Sequence, residues 1–158
     1  MTAMPRATAP STPVLLVIED DTDTRQALGE YLTMLFPDAR VLMSESGEAG
    51  LELAQRTRPR VVLLDLRLRG IHGFEFAERL RFSGAADGVS IVALTGDMSP
   101  DTLMKAEAAG FTAFLRKPAD MDRLEAVLRP LLDPGPAPDP ARAEEPPRWN
   151  RSRGALPS

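Results

Sequence analysis

The chain predicts an α/β fold, a doubly wound five-stranded parallel sheet with helices on both faces, and three observations carry that prediction. Short β-branched or Leu-rich runs alternate with longer segments of helical period, the pattern of parallel strands joined by crossover helices. Five such units fit between residues 14 and 132, and three of the strand runs are apolar throughout, as expected of strands covered on both faces. The 158 residues, 43% hydrophobic and 27% charged, suffice for one ordinary core and leave little room for a second.

The first strand is Val14 to Ile18, and the first helix follows Thr22 or Asp23, with Ala27, Leu28, Tyr31, Leu32 and Leu35 on one apolar stripe. Val41 to Met43 forms the second strand and a helix runs from about Gly47 to Arg56. Val61 to Leu64 is the third strand, followed by a helix from Phe74 to Phe82. After the fourth strand, Ile91 to Leu94, a helix opens with Ser99-Pro100, an N-cap followed by proline at the first helical position, and closes at Gly110. Ala113 to Leu115 is the last strand. The helix after Asp120 carries Leu124, Val127, Leu128 and Leu131, and Pro130, which lacks an N–H, is expected to kink it or end it early.

Proline marks the boundaries. Of 15 prolines, three lie in residues 1–13 and seven in 134–158, so the flanks read as a disordered N-terminal arm, 1–13, and a Pro-rich disordered tail or linker, 133–158. Residues 14–132 hold 14 basic and 19 acidic side chains, which makes the folded part the acidic part of a chain whose net charge is −4. That balance argues against a surface built for a phosphate backbone, and no direct nucleic-acid partner is expected. The absence of cysteine removes disulfides, thiolate metal sites and a Cys nucleophile. No run approaches the roughly 18 apolar residues of a membrane span, and the N-terminus lacks the apolar centre of a secretory signal. A cytoplasmic protein without a membrane partner is the expectation.

In an open doubly wound sheet, ligand-binding groups gather at the carboxyl ends of the strands. The first strand ends in Glu19-Asp20-Asp21, the third in Asp65, the fourth in Thr95-Gly96 and the fifth in Lys117-Pro118. Carboxylates, a hydroxyl and an ammonium thus converge on one rim. Adjacent carboxylates repel unless a hard cation neutralises them, and Mg2+ prefers such oxygen ligands. Asp65, held on a rigid strand beside that ion, can attack phosphorus and form an aspartyl phosphate. Thr95 and Lys117 can hold the phosphoryl oxygens, the positioning and electrostatic work that phosphoryl transfer needs.

Glu19-Asp20, Asp65, Thr95 and Lys117-Pro118, in this order and in these strand contexts, resemble the receiver domain of two-component response regulators, over about Val14 to Leu132. One motif alone is weak; four in order are specific. The resemblance implies a single-domain receiver like the chemotaxis regulators, with the flavodoxin-like strand order 2-1-3-4-5. It implies that Asp65 is the phosphoacceptor and that Glu19, Asp20 and Asp65 hold Mg2+ together with the backbone carbonyl of Arg67. Thr95 and Lys117 contact the phosphoryl group, Phe114 turns inward as a switch with Thr95, and Lys117-Pro118 is a cis bond. A sensor histidine kinase or histidine phosphotransfer protein would be the donor, with small phosphodonors as substitutes. A downstream protein would read the fourth helix, fifth strand and fifth helix. No enzyme activity is expected beyond self-phosphorylation and autodephosphorylation. The chain departs from the family pattern at Leu68-Arg69, where Met-Pro is common, at His72, where Asp often precedes Gly73, and at Ala119, where an aromatic often follows.

Plainer readings compete at several positions. Asp21 and Asp23 read as helix caps, Phe114 as core filling, and His72, the sole histidine, as a surface-loop residue. Met98 and Met104 fit either a partner surface or satellite core, and the segment Arg148-Trp149-Asn150-Arg151-Ser152-Arg153 fits either a docking motif or a solvated tail. A haloacid-dehalogenase-type phosphatase would need a second Asp where Arg67 stands. A phosphorylation-independent module would share the fold but has no need of an intact Glu19, Asp20, Asp65, Thr95 and Lys117. An N-terminal fragment of a larger regulator would explain the Pro-rich tail as an interdomain linker. A DNA-binding transcription factor lacks a basic reading helix. Arg67 and Asp97, two positions beyond Asp65 and Thr95, are expected to pair across the acyl phosphate and shield it from water.

Overall fold

Alternation along each strand decides which helix covers which face, because successive side chains of a strand point to opposite sides. The structure, a computed structural model, describes residues 12–133; the segment 1–11 of the arm and the tail beyond 133, including the Arg148-Trp149 segment, lie outside the described residues. The elements alternate as β1 (Val14–Ile18), α1 (Thr22–Leu35), β2 (Arg40–Ser44), α2 (Gly47–Thr57), β3 (Val61–Asp65), α3 (Gly73–Phe82), β4 (Ser90–Thr95), α4 (Pro100–Ala108), β5 (Ala113–Arg116) and α5 (Met121–Leu132). All four strand pairings are parallel, in the order β2-β1-β3-β4-β5. The expected α/β fold and strand order are what the chain adopts.

Leu15, Val17, Val61, Leu63, Val92, Leu94, Ala113 and Leu115 face one way and bury Leu28 and Leu32 of α1 and Leu124, Leu128 and Leu132 of α5. Their neighbours Leu16, Ile18, Val62, Leu64, Ile91 and Ala93 face the other way, onto Ala54 of α2, Phe76, Ala77 and Leu80 of α3 and Ala106 of α4. The strand cores are therefore apolar on both sides, which is why β1, β3 and β4 read as uninterrupted hydrophobic runs.

Several local expectations change in the structure. α1 begins at Thr22 itself rather than after Thr22 or Asp23, and of the two expected caps Asp21 is the one that serves: its Oδ2 accepts from the Thr24 N–H at 2.9 Å and the Thr24 hydroxyl at 2.7 Å. Ala27 is exposed, and Gly29 is buried in its stead, because Met43 of β2 lies against the helix where a Cβ would stand 2.2 Å from its Sδ. His72 is the N-cap of α3, its Nδ1 accepting from the Phe74 N–H at 3.1 Å, so the helix begins one residue earlier than the apolar pattern implied. Pro130 does not end α5. It falls in the last turn, where its missing N–H costs a single bond to the carbonyl four residues back, and the buried Leu128 and Leu132 hold that turn on the sheet. Gly110, at φ 90°, follows α4 in the left-handed conformation that closes a helix.

Candidate functional site

From β1 the chain crosses through α1 to β2 on one side, and from β2 it returns through α2 to β3 on the other side of β1. The switch point between β1 and β3 is where such sheets bind ligands. Register then sets the neighbours: Ile18 pairs with Leu64, so Glu19 and Asp65 emerge side by side at the strand ends. Asp65 pairs with Leu94, and Thr95 with Arg116, which brings Thr95 and Lys117 to the same rim from β4 and β5.

The carboxylates of Glu19, Asp20 and Asp65 offer oxygens that all lie within 4.8 Å of one another. Glu19 and Asp65 are buried, and each accepts a hydrogen bond from the Lys117 ammonium at 3.0 Å. Backbone amides take further lone pairs: Asp21 N–H donates to Glu19 Oε2 at 3.1 Å, and Arg67 N–H to Asp65 Oδ1 at 3.0 Å. Burial pushes the Glu19 carboxyl above its ordinary value, against the pull of the Asp21 amide and Lys117. For Lys117, burial acts to lower the pKa, and the hydrogen bonds and charges of Asp65 and Glu19 outweigh it, so the group stays protonated beyond the ordinary lysine range.

Three hard oxygen donors this close together suit a divalent ion such as Mg2+. The Arg67 main chain lies two residues beyond Asp65 on the same loop, its N–H already engaged by the Asp65 carboxylate. The Lys117-Pro118 bond is cis.

Thr95 is buried, and its hydroxyl accepts from the Asp97 N–H at 2.9 Å. Phe114 is half-buried, packed against the core cluster beneath α3 and α4, and borders a groove of about 390 Å3 with Met98, Pro118, Asp120 and Arg123. Met98 therefore lines the α4–β5–α5 face, while Met104 points outward. No direct ion pair joins Arg67 and Asp97 among the described residues, although the Arg67 charge is near enough to act on the Asp97 carboxylate. The Asp97 carboxylate instead accepts from the Thr102 hydroxyl at 2.7 Å and the Ser99 N–H at 3.0 Å, which organises the start of α4. These bonds hold its pKa down to about 2. Burial, then the Arg67 charge, lowers the His72 imidazole below its ordinary value, consistent with a neutral capping residue.

Two site residues escape sequence reasoning. Arg25 donates from Nη1 to the Glu19 carbonyl at 2.9 Å, tying α1 to the end of β1. Arg69 donates its backbone N–H to Asp20 Oδ2 at 3.0 Å, with its Nε 3.7 Å from the same oxygen. Arg25 carries no sequence signal, whereas Arg69 was visible as the departure from Met-Pro.

A parallel 2-1-3-4-5 sheet with an acidic triad and a lysine at its switch point has the architecture of a signal-receiving module. The chain belongs to the response regulator receiver domain family, whose model matches residues 15–129. It is similar to the transcriptional regulatory protein AfsQ1 of Streptomyces coelicolor, 36% identical over 123 residues that cover 78% of this chain and 52% of that protein. It is also similar to the sensor histidine kinase AtsR of Burkholderia thailandensis, 32% identical over 117 residues, 73% of this chain and 19% of that one. The signal receiver domain of a DNA-binding response regulator (merR) from Colwellia psychrerythraea superposes with a TM-score of 0.71 at 28% identity, covering 77% of this chain and 98% of that domain. The chain spans about half of AfsQ1 and a fifth of AtsR. It is a receiver domain of two-component, phosphorelay signalling, a family whose work is signalling rather than metabolic catalysis. Among the described residues no helix is long and apolar enough to cross a membrane.

Proposed function

We propose that residues 14–132 form a phosphorylatable receiver in which Asp65 accepts a phosphoryl group from a phosphohistidine of a sensor kinase or phosphotransfer protein in the cytoplasm. The observation that carries this reading is the convergence of Glu19, Asp20 and Asp65 within 4.8 Å of one another, with Lys117 3.0 Å from two of them. Asp65 is held in place by its Arg67 and Lys117 hydrogen bonds, so its carboxylate meets the donor pre-oriented. One of its oxygens forms the new O–P bond as the P–N bond to the donor imidazole breaks, and that ring leaves with its electron pair and takes up a proton.

Glu19, Asp20 and Asp65, with the Arg67 carbonyl, would hold Mg2+, which supplies positive charge against the anionic phosphoryl oxygens. Lys117 transfers its hydrogen bond from the Asp65 carboxylate to a phosphoryl oxygen, and the Thr95 hydroxyl donates to another by turning its proton away from the Asp97 carbonyl. Because Asp97 also anchors Thr102 in α4, movement of Thr95 reaches that helix. The half-buried Phe114 closes inward into the space Thr95 vacates, and the α4–β5–α5 face presented to a downstream protein changes. Small phosphodonors can replace the kinase, and hydrolysis of the acyl phosphate resets the switch.

The test is labelling of the full chain with phosphoramidate, read by intact mass, on wild type and Asp65→Asn. A single phosphoryl adduct that requires Mg2+ and disappears in the variant is the expected result. An adduct that persists in Asp65→Asn would overturn the assignment; no adduct on a folded chain that also fails to accept phosphate from any phosphohistidine donor would favour a phosphorylation-independent module.

A further inference from the structure

Before any metal arrives, each carboxylate of the triad already has a cationic partner. Lys117 serves Glu19 and Asp65. Asp20 is served from the opposite loop by Arg69, whose amide is 3.0 Å and whose Nε is 3.7 Å from the same Asp20 oxygen. The Asp20 side chain is 17% exposed and that of Arg69 is 88% exposed. The guanidinium therefore sits on the solvent side of the Asp20 carboxylate, beside one of the oxygens a divalent ion would take. A proline at this position would offer neither the N–H nor the charge.

We propose that Arg69 is a tethered competitor for the divalent ion at Asp20, setting the Mg2+ affinity of the site and hence the ion concentration at which the receiver becomes competent. The inference rests on the reading of Glu19, Asp20 and Asp65 as the Mg2+ site. Its physical basis is that a cation held beside one ligand of a second cation raises the free energy of the doubly occupied state. The pair must separate, or the two positive charges must share the Asp20 carboxylate. The amide and the guanidinium act differently: the N–H orients Asp20, while the charge competes. Because the guanidinium is mostly in water, its effect has the size of an exposed ion pair, about two- to five-fold in affinity, and is weakened by salt.

The experiment is isothermal titration of the full-length chain with MgCl2 at low ionic strength, on wild type, Arg69→Gln, Arg69→Lys and Asp20→Asn. Arg69→Gln retains the amide and loses the charge, so it is expected to bind Mg2+ about two- to five-fold more tightly than wild type, with the difference shrinking in about 0.5 M NaCl. Arg69→Lys, which keeps a positive charge, should stay near wild type. Thermal unfolding in EDTA verifies that each variant is folded. An unchanged Kd in Arg69→Gln, or the same tightening in Arg69→Lys, overturns the inference while leaving the metal site standing. A wild-type chain that takes up no Mg2+, or one whose Mg2+ uptake survives in Asp20→Asn, overturns the metal reading and this inference with it.

Discussion

The Lys117 ammonium lies 3.0 Å from the Asp65 carboxylate, and reaches it from β5, two strands away from β3. The same ammonium is 3.0 Å from Glu19, so one cation offsets two buried anions. Removing it strands both. Lys117→Met is expected to lower stability by about 1 to 3 kcal/mol in EDTA, less than a fully buried pair would lose because the lysine side chain is 31% exposed. Saturating Mg2+ should restore part of that loss. Urea unfolding with and without Mg2+ measures both quantities, and an equal loss under the two conditions would show that Lys117 and the ion do not share the same anions.

Asp97 is expected to titrate near 2, and the cause to lie chiefly in the Thr102 hydroxyl, with the Ser99 amide next. Thr102→Val should move its midpoint up toward the ordinary 3.8, read by NMR of the carboxyl carbon. A carboxyl depressed on folding contributes stability that is complete above its unfolded value and is lost as pH falls toward about 2. The start of α4 should therefore loosen over that window in wild type and show a smaller change in Thr102→Val.

Gly73 opens α3 against the loop that carries Arg67. A Cβ there would stand 2.9 Å from the Leu66 Cα and 2.7 Å from its Cδ2, and backbone does not yield cheaply. Gly73→Ala is expected to cost about 1 to 3 kcal/mol and to weaken Mg2+ binding by displacing the loop. Gly96→Ala, which meets nothing within 4 Å, is the comparison, expected within about 0.5 kcal/mol of wild type. Similar denaturation midpoints for the two would remove close packing as the reason for glycine at 73.

The architecture was legible because β1, β3 and β4 are covered on both faces and leave no polar residue in the strand interior to confuse the pattern. The rim was legible because its residues end or directly follow the apolar strand runs: Glu19 after Ile18, Asp65 after Leu64, Thr95 after Leu94. Errors fell where a helix end or face depends on something nonlocal. Composition allowed Asp21, Thr22 or Asp23 as the cap of α1, and only the extended backbone at Asp21 selects among them. The apolar stripe assigned Ala27 to the core, but Ala27 is exposed and Gly29, which lies against Met43, is buried instead.

The sequence by itself determined the order of elements, the two-sided burial of the sheet and the set of chemical groups at its carboxyl end, because these follow from periodicity and from which residue ends each strand. Only the tertiary structure decided which groups touch. Arg67 and Asp97, equivalent by position, make no direct ion pair, and the Asp97 carboxylate is held instead by Thr102 and Ser99 at the start of α4. Arg69, read only as an irregular loop residue, meets Asp20 because the β1–α1 and β3–α3 loops leave adjacent parallel strands at the same, carboxyl end of the sheet. Those contacts join residues 49 apart in the chain, and the distance between them is a product of register, which no local pattern records.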